Sequence, residues 1–420
     1  MTNSPPQLKE MLPAVQDLLH QVITGAGAAS SKTIPVETQQ EVLSRIAWNA
    51  LTEPNEYISR TLIDNYSGSA ALTVLQSDNT AHEINQLLDA AGITVTQQLA
   101  QKAIERWQAR LMDRSLLDLV RDTLQTAVKT GLRVLTPQLP GWPEKLSALG
   151  ENQPILLWAK GDIETIKHRF IAVVGARALT PYGETVTNYF TEYLCKQNLG
   201  IISGGAYGAD GLAHRIALNH KTPTIAVLAG GIDRPYPSGH TELFRKIVQT
   251  GNLIVTEAAP GSAPTRWRFL LRNRLIAALS EGVLVTEAGM RSGSINTANH
   301  AAELGIPLGA IPGSVMLGSS AGAHQLIRDH KAELIANTAQ LDELLHLQET
   351  TDSTENTRNI AHLLVLDALP LTKSAAVEQI ASRAGISHKE CTGILAELEL
   401  LGKVAQEHGK WPPRWRLVRE

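Results

Sequence analysis

FIAVVGARALTPYG, residues 170–183, reads as a strand, a glycine turn and a helix start in immediate succession. Phe170–Val174 is apolar without alternation, as in a strand buried on both faces. Gly175 ends the run. Thr180 followed by Pro181 is an N-cap with proline at the first helical position. The same grammar recurs downstream. Apolar runs at Ile201–Ser203, Thr224–Leu228, Leu253–Thr256, Val283–Thr286, Pro307–Ile311 and Glu333–Ala336 alternate with helical stretches. This pattern predicts an α/β fold, a Rossmann-like doubly wound parallel sheet covered on both faces.

In such sheets ligands sit at the carboxyl ends of the strands. Those ends read Gly175-Ala-Arg177, Ser203-Gly-Gly-Ala-Tyr-Gly-Ala-Asp210, Ala229-Gly-Gly231, Thr286-Glu-Ala-Gly-Met-Arg-Ser-Gly-Ser294 and Pro312-Gly-Ser314. Glycine lets backbone approach closely, and free N–H groups at helix starts bind anions. Each loop alone is explained by a tight strand–helix turn. Five on one edge point to a ligand. No named phosphate fingerprint fits: Arg177 fills the second glycine position of G-x-G-x-x-G, and a P-loop is absent.

The segment RWRFLLRNR, residues 266–274, places four arginines and two aromatics together in a chain of net charge −3. Arginine clusters attract phosphates, and Trp267 and Phe269 offer faces for stacked bases. Arg266, Arg268, Arg272 and Arg274 do not share one helical face, so a solvated stripe fits poorly. With a helix beginning near 268, Arg266 lies in the preceding loop at the ligand edge. Arg272 and Arg274 are open to a structural role. The ligand indicated is a single-stranded nucleic acid or another phosphate-rich molecule.

Catalytic constellations are thin. Asp210 and His214 lie four apart, the spacing of an ordinary helix-surface hydrogen bond. Ser203 and Ser292 have no base nearby. Glu257 and Glu287 end strands, where capping a helix N-terminus is the simpler role. Metal-ligand spacing is missing, so neither metal nor cofactor is expected.

A chain of 420 residues exceeds one core. Its 43% hydrophobic content is ordinary for a globular protein, and its two cysteines lie far apart, without a disulfide pattern. The start MTNSPPQLKE lacks a signal-peptide pattern, and no apolar run approaches the roughly 18 residues of a membrane span, so a cytoplasmic protein without membrane contact is expected. Residues 1–37 carry little signal, and 25–31 look like a linker. From 38 to 130 the spacing is helical, through Val42, Ile46, Trp48, Leu87, Leu88, Ile104, Leu111 and Val120. A Pro-rich bridge, 132–160, closes on Ile155–Trp158. Residues 348–358 read as a polar linker. Helices over 360–369, 373–383 and 388–401, a Ser387/Glu390 capping box, and strands at Val404 and 415–418 turning at His408-Gly409 form a winged-helix pattern.

The runs VVGARALTPYG, SGGAYGADGLAHRIAL, VLAGGIDRPYP, APTRWRFLLRNRLIAALS, VTEAGMRSGSINTANHAAELG and IPG, in this order and spacing, resemble the DNA-processing protein DprA (Smf) family over about 132–347. The flanks are similar to its longer members. The resemblance implies four regions: a helical N-terminal domain of SAM or helix-hairpin-helix-like type at 1–131, a Rossmann-like DNA-binding domain at 132–347, a linker at 348–358 and a winged helix at 359–420. It implies a homodimeric, non-catalytic, sequence-independent binder of single-stranded DNA. Such a protein protects incoming strands and loads RecA in natural transformation and recombination.

Carried over by position, the implied DNA contacts are Gly175, Arg177, Gly204, Gly205, Arg266, Phe269, Arg272, Asn273, Arg274, Ser292, Gly293 and Ser294. Ala176 and Ala209 depart from the family's serine and isoleucine; the first removes one possible hydroxyl contact to DNA. The leucine-rich segment Glu333 to Leu347 is expected at the sheet's far edge as an exposed apolar face for a partner. A nucleotide hydrolase of the lysine-decarboxylase-like type is the alternative, but its Gly-Thr-x-x-Glu loop is not present. A duplex-DNA regulator is disfavoured because the helix at 388–401 carries Glu390, Glu397 and Glu399 against one lysine, although the wing, with Lys403, Lys410, Arg414 and Arg416, is basic.

Overall fold

The computed structural model describes residues 8–25, 34–73, 80–93, 95–111, 114–347, 353–370, 374–407 and 412–418. The chain divides into two compact units, Met1–Leu345 and His346–Glu420. Most of the expected linker at 25–31, residues 348–352 of the second linker, and the His408-Gly409 turn with Lys410 lie outside the described residues.

Among its described residues, the first unit opens with the helices α1 (Leu8–Thr24), α2 (Val36–Leu51), α3 (Tyr57–Thr73), α4 (Thr80–Ala90), α5 (Gln97–Leu111) and α6 (Leu116–Thr130). They close on buried Leu19, Leu43, Ile46 and Leu124, with Trp48 edge-on to Trp107 at 5.1 Å. Helix α1 falls where little structure was expected. Its Met11, Val15, Leu19 and Val22 are buried, a three-four spacing that does mark one helical face.

A nine-stranded sheet follows: β1 (Arg133–Leu135), β2 (Leu157–Gly161), β3 (Phe170–Val174), β4 (Gly200–Ser203), β5 (Thr224–Leu228), β6 (Leu253–Thr256), β7 (Gly282–Val285), β8 (Leu308–Ala310) and β9 (Glu333–Leu334). The spatial order is β1-β2-β6-β5-β4-β3-β7-β8-β9. Strands β3 to β9 pair in parallel, as their apolar runs require. The Pro-rich bridge supplies two further strands, β1 and β2, that pair antiparallel and make the sheet mixed. The connecting helices are α7 (Pro181–Lys196), α8 (Ala209–Asn219), α9 (Thr241–Gln249), α10 (Arg266–Ala278), α11 (Gly293–Glu303), α12 (Ala321–Arg328) and α13 (Thr338–Leu344).

Alternate residues of β5 serve opposite faces. Ala226 and Leu228 pack with α8, α9 and the N-terminal helices; Ile225 and Val227 pack with α10, α11 and α12. The chain runs outward from β3 through β4, β5 and β6, then returns through α10 to β7 on the other side of β3. The carboxyl ends of β3 and β7 therefore flank a topological switch point, where a ligand crevice is expected.

The segment from Glu333 differs from expectation. It does lie at the sheet edge, but Ile335, Leu341, Leu344 and Leu345 are buried. Ile335 and Leu344 fill the space over Gly309, and Leu345 fills that over Gly282. Only Leu334 of these is exposed. The leucines complete the core and leave no broad apolar face.

The second unit is a winged helix: α14 (Ser353–Ala368), β10 (Ala375–Ala376), α15 (Val377–Ala384), α16 (His388–Leu400), β11 (Val404–Glu407) and β12 (Arg414–Leu417). Ser387 caps α16 by accepting from the Glu390 N–H at 3.2 Å. Val365, Ile380, Leu395, Leu398 and Trp415 form its core.

Candidate nucleic-acid interface

A cleft of about 980 Å³ opens at the switch point. Its walls are the turn after β3, the start of α10 and the turn after β7. Three arginines of the cleft wall, Arg177, Arg266 and Arg291, are exposed. Among the described residues, none of the three has a carboxylate partner. Their positive charge is therefore available to an anion.

Arg177 leaves the tip of β3 and lies over Phe269, with its guanidinium carbon 5.0 Å from the ring centroid. Cation–π attraction holds such an arginine without consuming its hydrogen-bond donors. Phe269 is half-buried, and Tyr236 meets it edge-on at 5.6 Å. Tyr236 is 48% exposed. An aromatic step thus stands beside the cations.

Helix α10 begins two residues earlier than expected. Thr265 is its N-cap and accepts from the Arg268 N–H at 3.2 Å, so Arg266 is the first helical residue and not part of the loop. Helix α11 begins at the other wall, where Ser292 is the N-cap and hydrogen-bonds Ser294 Oγ at 2.7 Å. Neither helix has an acidic residue in its first turn. Both positive helix ends therefore add to the field in the cleft.

The remaining arginines of the motif are tied into the fold, although Arg272 also lines the cleft, with its guanidinium carbon 5.9 Å from the Phe269 ring centroid. Arg268 is buried and binds Glu53 in the N-terminal helices, at 2.8 and 2.9 Å. Arg272 donates to the carbonyls of Gly204, at 2.6 Å, and Val227, tying α10 to the ends of β4 and β5. Burial, with a like charge on Arg177, pulls its pKa down to about 10 despite the nearby Asp210. Arg274 pairs with Glu257 at 2.8 Å and donates to the Asn152 and Leu271 carbonyls. It is 3% exposed and lies outside the cleft wall. Arg274, expected as a DNA contact, is thus placed away from the cleft wall, and for Arg272 the donors of its Nη1 are committed to backbone. Asn273 is buried as well, donating to the Gly293 carbonyl and Asn296 Oδ1 at 3.1 Å each. It fastens α10 to the start of α11.

The glycines divide similarly. A Cβ on Gly175 would sit 2.7 Å from Ala209 Cβ and 2.9 Å from Thr286 Oγ1. Gly205 adopts φ +66°, against the Phe244 ring. A Cβ on Gly204 would strike the Arg272 guanidinium. Packing explains all three, and Gly204 and Gly205 are not in the cleft wall. Gly293, by contrast, is exposed there, with open space where a Cβ would lie.

The polar residues considered for catalysis are also committed. Glu287 accepts from the Thr180 N–H at 2.9 Å and its hydroxyl at 2.8 Å, fixing the start of α7. Ser203 donates to the Val173 carbonyl at 2.7 Å. His214 and Asp210 do not bond each other. His214 Nδ1 lies 2.8 Å from Thr224 Oγ1, and Asp210 accepts from the Gly204 N–H at 3.1 Å. Burial, then the charges of His240, Arg215 and Arg272, push His214 down to about 3. Among the described residues there is no cluster of three metal-ligating side chains, and no helix is long and apolar enough to cross a membrane.

Sequence reading missed Tyr236 and Arg291. Arg291 was findable by the rule that singled out Arg177, as an arginine in a glycine turn after a strand. Trp267 is 61% exposed but lies outside the cleft wall.

Comparison with known proteins places this geometry in context. The family model of DNA recombination-mediator protein A matches residues 133–346, and that of the DprA winged helix domain matches 349–410. A Mycobacterium tuberculosis protein carrying the name DNA processing protein DprA is 38% identical over 322 residues, 72% of this chain and 81% of its own. Protein Smf of Escherichia coli is 35% identical over 278 residues, 64% of this chain and 74% of its own. The solved structure of DNA processing protein A from Streptococcus pneumoniae is similar at a TM-score of 0.55 and 28% identity, covering 74% of this chain and 98% of that one.

Proposed function

The chain belongs to the DprA (Smf) family of DNA-processing proteins, and we propose that it binds single-stranded DNA in the switch-point cleft without reading sequence. One observation carries the proposal: Arg177, Arg266 and Arg291 surround an aromatic step with their charges unpaired. Phosphates of a flexible strand would lie against the guanidiniums and the α10 and α11 starts. Bases would stack toward Phe269 and Tyr236, which recognises a π-face and not a base identity. Ser292, Gly293 and Ser294 offer backbone and hydroxyl contacts at the α11 start. Arg268 and Arg274 brace the platform from outside the cleft wall, while Arg272 and Asn273 lie in that wall with their side chains bonded to the fold.

The protein acts as a binder and not as an enzyme in this reading. Both strand-end glutamates serve structural bonds, and Asp210, the carboxylate among the described lining residues of the cleft, accepts from the backbone N–H groups of Gly204 and Ala206. The wider role, protecting incoming strands and passing them to RecA as a cytoplasmic homodimer, follows from family membership and is part of the same proposal. The test is binding of a fluorescent single-stranded oligonucleotide to Arg177→Ala and Arg266→Ala. Each is expected to weaken binding by roughly 1.5–3 kcal/mol, the range for charge-assisted hydrogen bonds. Wild-type affinity in a variant shown by circular dichroism to be folded would move the site elsewhere.

A further inference from the structure

Helix α10 presents Arg266 and Phe269 to the cleft, but its first turn is anchored on the opposite side. Between those two residues, Arg268 turns away toward the N-terminal helices. Its Nε and Nη2 donate to Glu53 Oε2 at 2.8 Å and Oε1 at 2.9 Å, a bidentate geometry, and Nη1 donates to the Ala263 carbonyl at 2.6 Å. Glu53 lies just past the end of α2 and is also gripped by Arg110 of α5. One carboxylate thus joins α2, α5 and α10.

The join is polar and local. Beside it lies an open surface cleft of about 360 Å³, lined by Ala50, Arg110, Arg268 and the 259–263 loop that leads into α10. Among the described residues, the Arg268–Glu53 pair is a direct side-chain bond there between the N-terminal helices and the start of α10. A second tie further back holds the frame. Asn49 donates to the Glu257 carbonyl at 2.8 Å and accepts from Trp158 Nε1 at 2.9 Å, while Glu257 holds Arg274. The base of α10 is therefore tied to the frame independently of Glu53, whereas Glu53 reaches the helix at its first turn.

We propose that Glu53 is a positioning residue for DNA binding: through Arg268 the N-terminal helical region sets the first turn of α10, and with it Arg266 and Phe269, without touching DNA. Side-chain bonds that fix a contact-bearing element remove the disorder that binding would otherwise have to overcome. This inference rests on the reading that the cleft holds DNA.

The experiment is a double-mutant cycle on the full chain, reading affinity for a fluorescent single-stranded oligonucleotide. Glu53→Ala is expected to weaken binding roughly 5- to 20-fold, the scale of coupling between residues of one network. Arg266→Ala should then cost clearly less in the Glu53→Ala background than in wild type. Hydrogen exchange should speed up in the first turn of α10 while the end of the helix stays protected. Glu53→Gln keeps the shape and one acceptor, and should show a smaller loss in the same direction if Glu53→Ala does not fold. Additive losses, or unchanged affinity for both Glu53 variants while Arg177→Ala binds weakly, would overturn the positioning role. Wild-type binding by Arg177→Ala as well would remove the DNA reading of the cleft, and the inference with it.

Discussion

Arg274→Ala should cost stability and leave DNA contacts intact, which separates the two halves of the arginine motif. The side chains of Arg274 and Glu257 are 3% and 7% exposed, and their atoms meet at 2.8 Å. Removing the guanidinium strands a buried carboxylate. It also leaves the Asn152 and Leu271 carbonyls without their donors. Breaking a buried pair on one side typically costs about 3–5 kcal/mol. For a unit of this size, at about 2 °C per kcal/mol, the melting temperature should fall by roughly 6–10 °C. Thermal unfolding by circular dichroism reads this directly. Below the transition, affinity for single-stranded DNA should stay within about twofold of wild type, because no group of the cleft is removed. The double variant Glu257→Met/Arg274→Met should recover much of the loss, since replacing both buried charges by apolar groups is often neutral. The reasoning is refuted if Arg274→Ala melts within about 1 °C of wild type yet loses tenfold or more in affinity. Arg274 would then be a DNA contact.

Three further outcomes follow from the same geometry. Tyr236→Ala and Phe269→Ala should each weaken single-strand binding by roughly 1–3 kcal/mol, the value of one stacked base, and lose little against an abasic oligonucleotide; equal losses on both substrates would deny stacking. Stability should fall as pH drops below about 6.5, because folded His214 stays neutral down to about 3 while the unfolded chain takes up the proton. The slope is up to about 1.4 kcal/mol per pH unit, and a melting-temperature series in which His214→Gln does not flatten that slope would assign the loss to other groups. A chain ending at Thr351 should still bind single-stranded DNA and stimulate RecA filament formation on coated strands; loss of stimulation with binding intact would give the RecA contact to the winged helix.

The strands were legible in the sequence because the sheet is buried on both faces from β3 to β8, where each strand is a largely apolar run; β9, at the edge, is exposed at both residues. The antiparallel pair β1 and β2 was hidden inside a Pro-rich stretch whose composition speaks for loop. In the cleft wall, Arg177 was legible by residue type and place, and Arg266 by residue type, although it opens helix α10 instead of preceding it. The fate of Arg268, Arg272 and Arg274 was not, since helical position alone does not say which face meets the sheet, the N-terminal helices or solvent. Their partners, Glu53, Gly204 and Glu257, lie 215, 68 and 17 residues away in sequence. Tyr236 was invisible for a similar reason: it sits between two prolines in a loop, and only folding brings it onto Phe269. Edge position alone suggests exposure for the leucines after Glu333, whereas glycines at 282 and 309 make room for them in the core.

The central claim is that the cleft takes the phosphates of a single strand. Measuring affinity for single- and double-stranded oligonucleotides of equal length across a salt series tests it most directly. The account predicts tighter binding to the single strand, with log affinity falling against log salt at roughly 0.7 per phosphate contact, and a slope smaller by about that amount in Arg177→Ala. Equal affinity for duplex, or a slope that Arg177→Ala leaves unchanged, would contradict it.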